Sequence, residues 1–173
     1  VSKPSAKQGH VVVEVKASSL NPVDHKLLKC DLGINPALPG ILHMDVSGVI
    51  TEVGKGVTAF KTGDEIYGCA GGLQGEAGNI EGALADFMLA DSNLIALKPK
   101  SLSFSESAAL PLVTITAWEG LFDRAQIKKE DHVLVHGGTG GVGHIGIQLA
   151  KQHGARVATT VSSKNKSKIA IVS

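Results

Sequence analysis

Aromatic side chains are nearly absent from this 173-residue chain, at 3% of residues: one Trp, one Tyr and four Phe. Without them there is no platform on which the bases of a single-stranded nucleic acid could stack. An excess of one charge sign is missing too, since 17 Lys and Arg face 16 Asp and Glu, for a formal net charge of +1. That balance gives no electrostatic reason to expect nucleic acid or an anionic membrane as partner. Basic residues crowd together only at Lys164, Lys166 and Lys168. No apolar run reaches spanning length, and no signal-peptide pattern is visible. The two cysteines, Cys30 and Cys69, lie far apart and form no Cys-x-x-Cys. They are expected to be reduced thiols of a cytoplasmic protein.

Glycine, by contrast, is plentiful, with 21 residues in a chain that is 43% hydrophobic and long enough for one or two domains. Its most informative cluster is His136-Gly137-Gly138-Thr139-Gly140-Gly141-Val142-Gly143. Residues 131–135 before it form a short apolar run, as a strand of a parallel sheet should. After it, Val142, Ile145 and Leu149 recur at helical spacing and Gly154 supplies a stop. A β-branched run, 156–161, follows. Strand, glycine turn, helix and strand form one unit of a dinucleotide-binding fold. In this reading Gly138 turns the chain off the strand, Gly140 lets a pyrophosphate approach the main chain, and Gly143 lets the helix pack close to the sheet. Thr139, Gly141 and Val142 complete the loop, whose helix N-terminus offers N–H groups to the phosphates.

The first hundred residues read differently. Strands are expected at 11–17, 46–54, 65–67, 85–90 and 94–97, separated by turns such as Thr62-Gly63-Asp64. Short strands at close spacing predict a small, irregular β-barrel. The glycine-rich stretch 71–82 reads as a flap or a solvated connection. Near Pro99 the period changes: Ser103 and Glu106 form a capping box that opens a helix, Pro111 interrupts, and 113–125 continues helically. Only two strands of the second part are visible, whereas a doubly wound sheet needs five or six. The α/β part is therefore expected to be incomplete and the chain a segment of a longer protein.

Several motifs agree in order and spacing with a known family. Gly48-Val49-Ile50-Thr51-Glu52-Val53-Gly54 with Gly63-Asp64, Leu110-Pro111, Thr116-Ala117-Trp118, and the glycine loop followed by Gln148-Leu149-Ala150-Lys151 resemble the medium-chain dehydrogenase/reductase superfamily. Residues 136–143 are most similar to its zinc-independent quinone oxidoreductase, zeta-crystallin-like branch. The resemblance implies a GroES-like β-barrel at 1–100, lacking its N-terminal strands, followed by the first part of an NADP-binding Rossmann domain at 101–173. It also implies a full-length protein about twice as long, a homodimer, and hydride transfer from NADPH to a quinone or an α,β-unsaturated carbonyl. An enoyl-thioester reductase and a non-catalytic NADPH-binding protein of the same fold are the alternatives.

The zinc alcohol dehydrogenases of this superfamily are a competing branch. Catalytic zinc takes Cys, His and carboxylate ligands. Aligned with that branch, the ligand positions here fall on Asn21, on Met44 and Asp45, and on Leu112. Asn, Met and Leu do not hold zinc, and the cysteine-rich structural lobe is replaced by residues 71–82. Short-chain reductases need Tyr with Lys four residues on; the only tyrosine is Tyr67, and residue 71 is Gly.

By resemblance, Asn21 and Asp24 belong to the catalytic cleft near the nicotinamide ribose, and Thr116 is placed to bond the carboxamide. His25 and Lys26 stand near the position where this branch often carries a tyrosine; no residue is assigned as proton donor, because an enolate can take its proton from water. Cofactor choice is expected at the end of the second strand. It holds no carboxylate but has Ser162, Ser163, Lys164 and Lys166, which suit a 2′-phosphate. Ser162 and Lys166 are the expected contacts.

Overall fold

Val11, Val12 and Val13 are completely buried near the start of strand β1 (His10–Ser19). Alternate residues of a strand face opposite sides, so burial of all three means that β1 is covered on both faces. In the computed structural model, which describes residues 2–29, 40–72 and 81–163, β1 lies inside a five-stranded antiparallel sheet. Its order is β4-β1-β2-β3-β5, with β2 at Asp45–Val53, β3 at Glu65–Cys69, β4 at Phe87–Asp91 and β5 at Ile95–Leu97. The β1–β2 register shifts between Val12 and Val13 and again between Val15 and Ala17. Such bulges bend the strand and increase its twist. Val11, Val13, Val46, Ile50, Ile66, Met88 and Ala90 fill the enclosed core, with Phe60 and Val57 packed against it. All five expected strands are present, each shifted by a residue or two at its ends.

Residues 22–28 form helix α1 (Pro22–Leu28). Asn21 is its N-cap, Pro22 its first residue, and the Asp24 carboxylate accepts the Asn21 N–H at 2.7 Å. Proline at the first helical position with a reciprocal cap is a helix-start signal. The Ser103–Glu106 capping box forms as expected: Glu106 Oε2 accepts the Ser103 N–H at 2.8 Å, opening α2 (Phe104–Ala108). Lys98, whose side chain is 6% exposed, donates to the Leu102 carbonyl at 2.6 Å and pairs with Glu65 at 3.1 Å, fastening the entry to α2 onto β3.

The chain forms two compact units, Val1–Leu112 and Val113–Ser173. Residues 101–112 lie with the first because α2 packs on β1 and β2. Helix α3 (Pro111–Trp118) begins at the proline that interrupts α2 and passes into a π turn, Glu119–Arg124. In the second unit, β6 (His132–Val135) and β7 (Arg156–Thr159) pair in parallel around α4 (Gly141–Gln152).

The buried face of α4 is Gly143, Gly146, Ile147 and Ala150. This corrects the expected face of Val142, Ile145 and Leu149; Val142 is exposed. Gly143, Gly146 and Ala150 let the helix approach its neighbours closely, and Ile147 fills the same buried face. No helix among the described residues is long and apolar enough to cross a membrane. Most of the glycine-rich stretch 71–82 lies outside the described residues.

Candidate cofactor and substrate site

The sharp turn after β6 is made at Gly137, where φ is +71°, and not at Gly138 as expected. Such a φ is in the left-handed region that glycine enters without a Cβ penalty. Gly138 is needed for packing instead: an added Cβ would lie 2.7 Å from Ile147 Cδ1 and against Thr159 Oγ1. At Gly143 a Cβ would lie 2.9 Å from the Gly137 carbonyl carbon and 3.0 Å from Gly138 Cα, so close helix–loop contact does depend on this glycine. Gly140 differs from both. It is the N-cap of α4 with extended backbone, and an added Cβ there meets only the Gly137 carbonyl oxygen, at 3.2 Å.

Helix geometry leaves the N–H groups of the first turn, around Gly141, Val142 and Gly143, without intrahelical acceptors. They carry the positive end of the helix dipole. Beside them is an open cavity of about 470 Å³ lined by Gly137, Thr139, Gly140, Thr160, Val161 and Ser162. The donor set and the open face at Gly140 fit the pyrophosphate of a dinucleotide. Ser162 lines the same cavity as Thr139 and Gly140. Lys166 lies outside the described residues. Thr160 is a lining residue that the sequence did not single out: its hydroxyl accepts the Gly137 N–H at 3.1 Å and ties the loop to the end of β7. The only signal was the adjacent pair Thr159-Thr160 at the close of a strand.

Thr116 is exposed on α3. Its helix meets α4 through small contacts, since a Cβ on Gly141 would lie 3.2 Å from Val113 and one on Gly146 3.9 Å from Ala117. Thr116 therefore belongs to the glycine-loop unit, whereas Asn21 and Asp24 belong to the barrel unit.

In the barrel, Asn21 and Asp24 stand together at the start of α1 and are 7% and 1% exposed. Asp24 accepts the Asn21 N–H on one oxygen and the His43 N–H, at 2.9 Å, on the other. Buried and satisfied by main-chain donors, it caps the start of α1. His43 holds a left-handed backbone (φ 71°), and its Nδ1 shares a 2.8 Å hydrogen bond with the Ser18 hydroxyl.

The positions where the zinc branch would place ligands do converge, but through hydrogen bonds. The completely buried Asp45 accepts from Asn21 Nδ2 at 2.9 Å and from the Ser19 hydroxyl at 2.7 Å on one oxygen, and from the Leu112 N–H at 2.9 Å on the other. Burial and the neighbouring Asp45 push the Cys69 thiol up to about 12, so it is protonated near neutrality and bonds Asp45 as well. Among the described residues, no three His, Cys, Asp or Glu side chains gather where they could hold a metal ion.

An antiparallel barrel and the opening strand–loop–helix–strand of a nucleotide-binding sheet together define a dehydrogenase-type architecture. The chain belongs to the alcohol dehydrogenase GroES-like domain family, which matches residues 7–100, within the medium-chain dehydrogenase/reductase superfamily. It is 42% identical over 169 residues to a 2-methylene-furan-3-one reductase of Solanum lycopersicum, a match that covers 96% of this chain and 43% of that relative. It is 39% identical over 164 residues to a chloroplastic NADPH-dependent alkenal/one oxidoreductase of Arabidopsis thaliana, covering 93% of this chain and 42% of the relative. Its structure matches that of the quinone oxidoreductase from Coxiella burnetii with a TM-score of 0.83 at 34% identity, over 99% of this chain and 53% of that one. The chain thus spans less than half the length of these two curated relatives.

Proposed function

We propose that the protein containing this chain is an NADPH-dependent, zinc-independent oxidoreductase that reduces quinones or α,β-unsaturated carbonyls. The observation that carries this reading is the loop between β6 and α4. There Gly137, Gly138 and Gly143 are required by the fold, while Gly140 leaves an open face beside the helix N-terminus and the cavity that reaches Ser162. NADPH, when bound, supplies the hydride that adds to the electrophilic carbon of the substrate, and solvent supplies the proton that completes the reduction. The protein's part is to hold and orient. First-turn N–H groups of α4 and the hydroxyls of Thr139, Thr160 and Ser162 take the phosphates, with Lys166 as partner of the 2′-phosphate. Asn21 faces the nicotinamide ribose, Thr116 the carboxamide, and Asp24 keeps the start of α1 in place.

The domain division (1–100 and 101–173 by the resemblance, with 101–112 packing on the first unit), homodimer formation and a cytoplasmic location belong to the same proposal. They can be tested on the full-length protein by limited proteolysis, sedimentation and cell fractionation. The decisive experiment mixes that protein with NADPH and a panel of small quinones and enones and follows nicotinamide absorbance. Turnover on at least one substrate, faster with NADPH than with NADH, is expected. Tight NADPH binding without turnover on any of them would instead favour a non-catalytic nucleotide-binding protein.

A further inference from the structure

We infer that Asp45 is a positioning residue that commits both N–H groups of Asn21 inward, so that Asn21 can meet the cofactor only as a hydrogen-bond acceptor. This rests on the reading of Asn21 as a cofactor-facing residue. An asparagine amide has two donor hydrogens and one acceptor oxygen, and its sequence alone leaves both kinds of contact open. Here Asn21 Nδ2 donates to Asp45 Oδ2 at 2.9 Å and to Ser19 Oγ at 3.2 Å, which uses both hydrogens. Ser19 in turn donates its own hydrogen to Asp45 at 2.7 Å, so toward Asn21 its oxygen acts as an acceptor.

The direction of this chain is dictated by its end. Turned over, the Asn21 carbonyl oxygen would face a carboxylate oxygen at hydrogen-bond distance, with no hydrogen between two acceptors. Asp45 cannot move aside, because its other oxygen is held by the Leu112 N–H and its strand pairs with β1 and β3. Cys69, directly opposite on β3, adds a further donor. A completely buried carboxylate surrounded by donors is a rigid anchor, and leaving such donors unmatched is costly in the interior. The ligand group facing Asn21 must therefore be a donor, as a ribose hydroxyl is and a carbonyl is not.

The test uses the full-length enzyme and four variants: Asn21→Ala, Asp45→Asn, their combination, and Ser19→Ala. Asp45→Asn keeps the size but lets the Asn21 amide turn. It is expected to weaken NADPH about ten-fold, read as Kd by fluorescence titration without substrate and as KM in turnover, while kcat and KM for the quinone stay near wild type. Asn21→Ala should raise KM for NADPH similarly, and the double variant should show no additional rise. A fold defect alone would lower apparent kcat by reducing the active fraction and leave KM unchanged, so additive losses or a pure kcat loss would overturn the proposal. If Asp45→Asn does not fold, Ser19→Ala decides: about a three-fold rise in KM for NADPH, absent in the Asn21→Ala background, is expected. No change in either background would refute it. Should Asn21→Ala by itself leave KM for NADPH untouched, the placement of Asn21 at the cofactor fails, and this inference with it.

Discussion

Gly140 is a glycine of the proposed phosphate loop that the fold does not need, and replacing it with valine should separate cofactor binding from folding. Its φ of −82° and ψ of 166° are open to any residue, and the one close neighbour of an added Cβ is the Gly137 carbonyl oxygen, 3.2 Å away. Movement of a few tenths of an ångström relieves that contact. Valine is also a poorer helix N-cap than glycine, which costs about 1 kcal/mol. The Gly140→Val protein should therefore fold with a small loss of stability. Binding is another matter, because the new branched side chain stands where a pyrophosphate must reach the main chain. Losing two charge-assisted hydrogen bonds at about 1.5–3 kcal/mol each removes at least about 3 kcal/mol, or more than about a hundred-fold in Kd. The control is Gly143→Val, whose side chain runs into the backbone of Gly137 and Gly138; it should lose stability and binding together. Denaturant unfolding without cofactor and fluorescence titration with NADPH measure the two effects. A Gly140→Val protein that binds NADPH within about three-fold of wild type would refute the assignment of this loop.

Three further outcomes are expected of the full-length protein. Elemental analysis should find well under one zinc per chain, since the converging positions are spent on hydrogen bonds among Asn21, Asp45 and Leu112; one equivalent, lost with activity on chelation, would contradict this. Lys166→Ala should weaken NADPH binding about ten-fold and leave NADH nearly unchanged; equal losses would show that the 2′-phosphate is not read there. The Cys69 thiol, at 9.0 when unperturbed and about 12 here, holds its proton more tightly in the folded state. Its contribution to stability is thus complete below pH 9 and should drain away as pH climbs towards 12. Cys69→Ser should flatten that alkaline slope, and an unchanged slope in denaturation curves taken across this range would count against the Asp45–Cys69 contact.

Local pattern was enough for much of the architecture. Short β-branched apolar runs at 11–17 and 46–54, bounded by turn residues, specify strands. Ser103 and Glu106 specify a helix start because their side chains satisfy the main chain within four residues. The β6–loop–α4–β7 unit was legible for the same reason. Where the reading slipped, the missing information was spatial. Asn21, Pro22 and Asp24 carry the capping signal of α1, but not the partners Ser19 and Asp45 that hold the Asn21 amide. Hydrophobicity alone points to Val142, Ile145 and Leu149 on α4, yet the buried face is Gly143, Gly146, Ile147 and Ala150, because small residues allow close approach around one large one.

The same division holds at the site. Residue types and spacing determined that a glycine-rich turn lies between β6 and α4, and that the zinc positions carry Asn, Met and Leu, since chemistry of this kind belongs to the residues themselves. Only the tertiary structure decided that Gly137 rather than Gly138 makes the turn, that Thr160 closes the loop from 23 residues away, and that Asp24 is buried beneath the His43 main chain. It alone brought Ser19, Asn21, Asp45 and Leu112 into one hydrogen-bonded cluster. Those partners are 24 and 67 positions from Asp45 in the cases of Asn21 and Leu112. No local periodicity encodes such a distance; the curvature of the bulged β1–β2 pair does.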